Sequence, residues 1–177
     1  MFAMKLPFAS LNPQEALHVA IFIEERNAEI YHRFAEMFSE FRDPDSLEIA
    51  GVFWEMAAEE RQHSSRLQEK YTEQYGTASC SLTEEDLVDF IEVPRLEHGD
   101  IFGETPRGKR LAPRERALQV ALRAERDAQS FYGDLVKTVK TGPLRAIYQE
   151  LAQMEDDHVA FLEGKLASSA TNSMGAP

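Results

Sequence analysis

Histidines and carboxylates are the residues of this sequence best suited to chemistry, and their spacing is uneven. Four of the five histidines follow a glutamate by three positions: Glu15/His18, Glu29/His32, Glu60/His63 and Glu155/His158. Residues three apart share a helix face, so each pair can present a carboxylate and an imidazole to one cation. In a glutamate-rich chain most such pairs are surface pairs, and a lone Glu-x-x-His says little. Two of the four differ in their surroundings. Glu60 and His63 interrupt an apolar stripe of Phe53, Met56, Ala57 and Leu67, and Glu155 and His158 interrupt one of Tyr148, Leu151, Ala152, Val159 and Leu162. Two further stripes hold a central carboxylate without a paired histidine in that role. One runs Leu118, Ala121, Leu122, Glu125, Ala128, Tyr132; the other runs His18, Ile21, Phe22, Glu25, Ala28, His32, Ala35.

A buried carboxylate without a partner costs several kcal/mol. Four close together also repel one another, and these stripes carry no lysine or arginine to balance them. Two divalent cations would cancel the four charges, with two imidazoles completing the ligand set. The sequence therefore nominates Glu25, Glu60, His63, Glu125, Glu155 and His158 as metal ligands. The competing reading, a helical bundle with ordinary polar pairs, has to treat four centred carboxylates as coincidence. Tyr132, two turns beyond Glu125, is the candidate for a catalytic or ligand-orienting hydroxyl. His32 holds the equivalent place on the first stripe but reads better as an ordinary polar histidine, and His18 falls near a bundle end. The run Glu97-His98-Gly99-Asp100 reads as solvated loop.

These side chains need four helices to position them. Asn12-Pro13, Asp43-Pro44, Ala112-Pro113 and Gly142-Pro143 each place proline at a first helical position, where its missing amide hydrogen has no partner to lose. Asn12 and Asp43 are good caps, and Glu15 completes a capping box with Asn12. The expected helices span about 13–40, 44–74, 113–139 and 143–166. Short linkers pair the first with the second and the third with the fourth as antiparallel neighbours. The connection over about 75–112 is long and contains a short capped segment beginning at Thr83. The fold class is thus all-α: a four-helix bundle over 1–166 with one long crossover between helices 2 and 3, followed by a flexible tail from 167 to 177. The halves repeat. An offset of 100 pairs Glu25, Arg26 and Ala28 with Glu125, Arg126 and Ala128; an offset of 95 pairs Glu60 and His63 with Glu155 and His158.

Composition narrows the function classes. A net charge of −12 repels nucleic acid and anionic membranes. No apolar run is long enough for a membrane span, and no signal sequence stands out, so the expected location is the cytoplasm. Cys80 is the only cysteine, which rules out an internal disulfide and a Cys-x-x-Cys iron or zinc centre.

Over about 12–166 the sequence resembles the ferritin-like superfamily, and within it the di-iron domain of rubrerythrins and erythrins. The resemblance rests on Glu25-Arg-Asn-Ala28, Glu60-Arg-Gln-His63, Glu125-Arg-Asp-Ala128 and Glu155-Asp-Asp-His158. Two glutamates plus two Glu-x-x-His pairs is the ligand arrangement of such bundles. The resemblance implies two iron ions per chain, with manganese or zinc as alternatives. It also implies oxidation of Fe(II) by hydrogen peroxide or dioxygen, a separate electron donor or Fe(II) itself as reductant, and a homodimer. Rubrerythrins add a rubredoxin-type iron centre, which one cysteine cannot build. They tend to carry a further glutamate where this chain has Ala128. A non-catalytic metal-binding or iron-delivery protein would use the same ligands, and a metal-free interaction module is the remaining alternative.

Overall fold

The computed structural model describes residues 11–83, 86–87 and 112–174, with side chains as far as Ser168. Its helices are α1 (Pro13–Phe41), α2 (Pro44–Tyr75), α3 (Pro113–Thr138) and α4 (Pro143–Met174). Each begins at the expected proline. At α1 the capping box forms in both directions: Glu15 N donates to Asn12 Oδ1 at 3.0 Å, and Asn12 N donates to Glu15 Oε2 at 2.9 Å. At α2 the Asp43 carboxylate accepts from Ser46 N at 2.9 Å. The chain leaves α1 through Arg42, at φ 57°, and α2 through Gly76, at φ 61°. The left-handed conformation ends a helix most cheaply at glycine, so Arg42 carries a small strain that the tight α1–α2 turn requires. Between α3 and α4, Arg145 donates to the carbonyl oxygens of Val136 and Val139, which satisfies acceptors left open at the end of α3.

Helix α4 runs eight residues past the expected end at 166. The segment Ala167–Met174 contains no proline or glycine, so small size and polarity alone do not stop the helix. At the crossover, Thr83 and Asp86 make reciprocal capping bonds, and Leu87 is buried against the bundle. The remainder of the expected short helix, and His98 with its neighbours, lie outside the described residues.

Two apolar clusters fill the bundle. One joins Phe34 and Phe38 of α1, Phe53 and Met56 of α2, Leu118 and Leu122 of α3 and Leu162 of α4. The other joins Leu17 of α1, Leu67 of α2, Phe131 and Leu135 of α3 and Tyr148 and Leu151 of α4. The order in which each helix visits them gives its direction. α1 and α4 run from the second cluster to the first, α2 and α3 from the first to the second. Helices α2 and α3 are therefore parallel, and their connection has to return along the whole bundle. That explains its length and gives the ferritin-like topology expected from the sequence. Among the described residues, no helix is long and apolar enough to cross a membrane.

Candidate metal centre

Between the two clusters lies one polar layer. Glu24, Glu60, Glu125 and Glu155 are all fully buried, and His63 and His158 are buried beside them. Each fully buried Leu or Phe of the flanking clusters contributes ~1.5–3 kcal/mol, and that apolar packing holds the carboxylates in place against their cost in solvation and repulsion.

The six side chains form two overlapping groups. Glu24, Glu60, His63 and Glu155 make one, and Glu60, Glu125, Glu155 and His158 make the other; within each, one donor atom per residue lies within 4.8 Å of all the rest. Glu60 and Glu155 belong to both. Each histidine turns Nδ1 inward: His63 Nδ1 is 2.9 Å from Glu24 Oε2, and His158 Nδ1 is 3.2 Å from Glu125 Oε2 and 3.4 Å from Glu60 Oε1. The two rings face each other with centroids 6.0 Å apart. Two tyrosines complete the layer from opposite ends. Tyr132 donates to Glu24 and Tyr31 donates to Glu125.

The chain's pseudo-twofold repeat accounts for this pattern. An offset of 101 between α1 and α3 pairs Leu17 with Leu118, Ala20 with Ala121, Glu24 with Glu125 and Tyr31 with Tyr132, and all eight residues are buried. The offset of 100, suggested by the Glu-Arg-x-Ala matches, rotates α1 by one residue. Glu25, expected as the α1 ligand, is accordingly exposed. It accepts from Gln68 Nε2 at 2.5 Å and Ser64 Oγ at 3.5 Å, and it lines an outer groove with Glu29, His32 and Arg61. One helical residue is ~100° of rotation, enough to turn a side chain from the core to the flank. Glu24 was missed for that reason. The signal that finds it is Tyr31, whose buried mate Tyr132 fixes the register. The structure brings the other five nominated ligands together, with Tyr132 against them. His32 faces Arg61 and Glu36 instead, and His18 packs near Tyr71.

The layer's electrostatics are strained without cations. Burial, together with the neighbouring carboxylates, raises the pKa values of Glu60 and Glu155 well above the ordinary range. For Glu125, burial acts in the same direction, but the neighbouring Glu155 carboxyl, His158 and the hydrogen bond from Tyr31 outweigh it and leave the group lowered. Burial opposes protonation of His158, yet Glu125 and Glu59 raise it to about 9. Burial also pushes both tyrosines up, so each stays a neutral donor.

A metal pair fits these residues on a structural observation. Both carboxylate oxygens of Glu60 and both of Glu155 are buried without a hydrogen-bond partner among the described residues. Buried polar groups are ordinarily paired, so four such acceptors gathered in one layer call for a partner. They belong to the two glutamates shared by both groups. The donor set, carboxylate oxygen and imidazole nitrogen, suits iron, manganese or zinc.

Comparison with known proteins agrees with this geometry. The rubrerythrin family model matches residues 15–96, a little under half of the chain and the part that holds Glu24, Glu60 and His63. The sequence resemblance to rubrerythrins, and through them to the ferritin-like superfamily, is thus upheld. A hypothetical protein from Pyrococcus furiosus is similar in structure, with a TM-score of 0.63 and 20% identity over 90% of this chain and 91% of that one. At that identity the likeness is one of fold. No curated protein matches the chain.

Proposed function

From the rubrerythrin-type match over 15–96 and the ferritin-like arrangement of the described helices, we propose that this protein is a non-haem di-iron oxidoreductase that reacts Fe(II) with hydrogen peroxide or dioxygen. The observation that carries the proposal is the central layer in which Glu60 and Glu155 belong to both ligand groups and all four of their oxygens lack a hydrogen-bond partner among the described residues. Glu24 and His63 would hold one ion, Glu125 and His158 the other, with Glu60 and Glu155 shared between them. When bound, a pair of Fe(II) ions would supply the two electrons that, with two protons from solvent, reduce hydrogen peroxide to two waters.

The chain's own residues do the remaining work. Tyr132 and Tyr31 fix the orientation of Glu24 and Glu125 from opposite ends and keep one oxygen of each occupied. Their raised pKa values hold the phenolic protons in place at neutral pH. Phe53, Met56 and Leu122 on one side, and Leu67, Phe131 and Leu151 on the other, exclude bulk water from the layer. Exclusion strengthens every charge interaction within it. Reductant would come from a separate donor protein or from further Fe(II).

The test is iron-loaded protein given hydrogen peroxide, with iron content and single-turnover oxidation measured for four variants. His63→Ala and His158→Ala should each lose iron or rapid oxidation, while His18→Ala and His32→Ala keep both. Repeated peroxide turnover with a reductant supports the enzyme; one stoichiometric oxidation and no more would instead indicate a metal carrier. Equal damage from His32→Ala would overturn the assignment of the site.

A further inference from the structure

The pseudo-twofold symmetry of the layer is broken on the outer edge of the two histidines. His158 Nε2 lies 2.8 Å from Glu59 Oε2, while its Nδ1 faces the carboxylates. His63 also turns Nδ1 inward, but its Nε2 is buried and has no hydrogen-bond partner among the described residues. The sequence supplies the reason. At the offset of 95 that pairs His63 with His158, the mate of Glu59 is Met154. A thioether there accepts hydrogen bonds poorly. The acid one turn earlier on α4, Glu150, is engaged by Arg66 at 2.5 Å.

A histidine that gives Nδ1 to a metal carries its proton on Nε2. A carboxylate accepting that proton fixes the tautomer, holds the ring plane and makes the inner nitrogen a stronger donor. His158 has this support, and His63 does not. From this we infer that Glu59 is a positioning residue that makes the two metal positions unequal, so that the position held by Glu125 and His158 fills first and more tightly. Glu59 touches neither substrate nor metal; it acts through His158. The inference rests on the metal-binding reading above and adds an order of loading to it.

Cobalt(II), added alone to the metal-free protein, is the probe. Visible absorption and calorimetry follow the binding steps, and the hyperfine shifts of assigned histidine ring signals show which position fills. The wild type should bind in two resolved steps, with His158 shifted before His63. Removing a carboxylate partner of a ligating histidine costs ~10–100-fold in affinity, so Glu59→Gln should weaken the first step by about that factor and leave the second unchanged. Glu59→Ala should match it. Met154→Glu, which offers His63 the partner it lacks, should tighten the second step. Two equal steps that Glu59→Gln does not alter would overturn the inference and leave the metal site standing, as would a His63 signal that shifts first. A wild-type protein that binds no cobalt would remove the inference together with the reading beneath it.

Discussion

Glu24→Gln and Glu25→Gln are adjacent, isosteric substitutions that remove one charge each, yet they should behave oppositely. Glu24 is fully buried, takes a hydrogen bond from Tyr132 and lies 2.9 Å from His63 Nδ1. Glu25 faces the outer groove beside Gln68. A cation that binds only the folded state stabilises it by RT ln(1 + [L]/Kd), which is ~2.7 kcal/mol at 100 times Kd. If loss of the Glu24 carboxylate weakens binding by about 100-fold, the same metal concentration becomes about equal to Kd and the gain falls to ~0.4 kcal/mol. For a chain of this size 1 kcal/mol is ~2–4 °C in Tm. The assay is thermal unfolding with and without manganese(II) or zinc(II) at a fixed concentration. Metal should raise Tm by roughly 5–11 °C in the wild type and in Glu25→Gln, but by only ~1 °C in Glu24→Gln. In metal-free protein Glu24→Gln should cost little, because a weaker hydrogen bond from Tyr132 is offset by relief of repulsion within the layer. A full metal-induced shift in Glu24→Gln, together with its loss in Glu25→Gln, would refute the register of α1 argued here.

Three further outcomes follow from the same geometry. Tyr148 is buried, and its hydroxyl has no hydrogen-bond partner among the described residues; its repeat mate is Phe53, so Tyr148→Phe should stabilise the protein by ~1 kcal/mol in chemical denaturation, and a clear loss of stability would show that the hydroxyl has a partner. Tyr31→Phe and Tyr132→Phe should weaken metal binding to similar extents in calorimetry, since each removes the hydrogen bond to one of two equivalent glutamates, and a large effect of only one would break the claimed equivalence. Stability should also depend on pH, and metal should counter that dependence. Glu60, Glu155 and His158 have pKa values raised on folding, so the metal-free fold binds extra protons and loses stability as pH rises from the ordinary carboxylate range towards about 9. Cations displace those protons, so the metal-induced gain in Tm should grow from pH 6 to pH 8; a metal-induced gain that shrinks over that range would contradict the assigned protonation.

The residues that announce the bundle in the sequence do so through local chemistry. Pro13, Pro44, Pro113 and Pro143 stand at the starts of all four helices, because a fixed φ and a missing amide hydrogen act on the nearest backbone alone. Glu60, His63, Glu155 and His158 were legible because polar side chains interrupt otherwise apolar stripes at equal places in two repeats. Glu24 was not, because adjacent glutamates at 24 and 25 leave the face of α1 undecided and the Arg26 and Ala28 matches favour the wrong one. Packing decided it: Leu17, Ala20 and Tyr31 are buried on the same face of α1 as Glu24, and that face shows only in the folded bundle. The end of α4 was misplaced for a similar reason: Ala167–Met174 has the composition of a tail but lacks a residue that stops a helix. The Glu59–His158 contact joins side chains 99 residues apart, and no spacing rule reaches that far.

The most direct test of the central claim is a crystal structure of the metal-loaded protein with anomalous scattering collected at the iron edge. The account predicts two anomalous peaks in the layer between the apolar clusters, with Glu60 and Glu155 reaching both, Glu24 and His63 at one, and Glu125 and His158 at the other. A loaded protein whose metal lies in the outer groove beside Glu25, or one with no metal between Glu60 and Glu155, would contradict it.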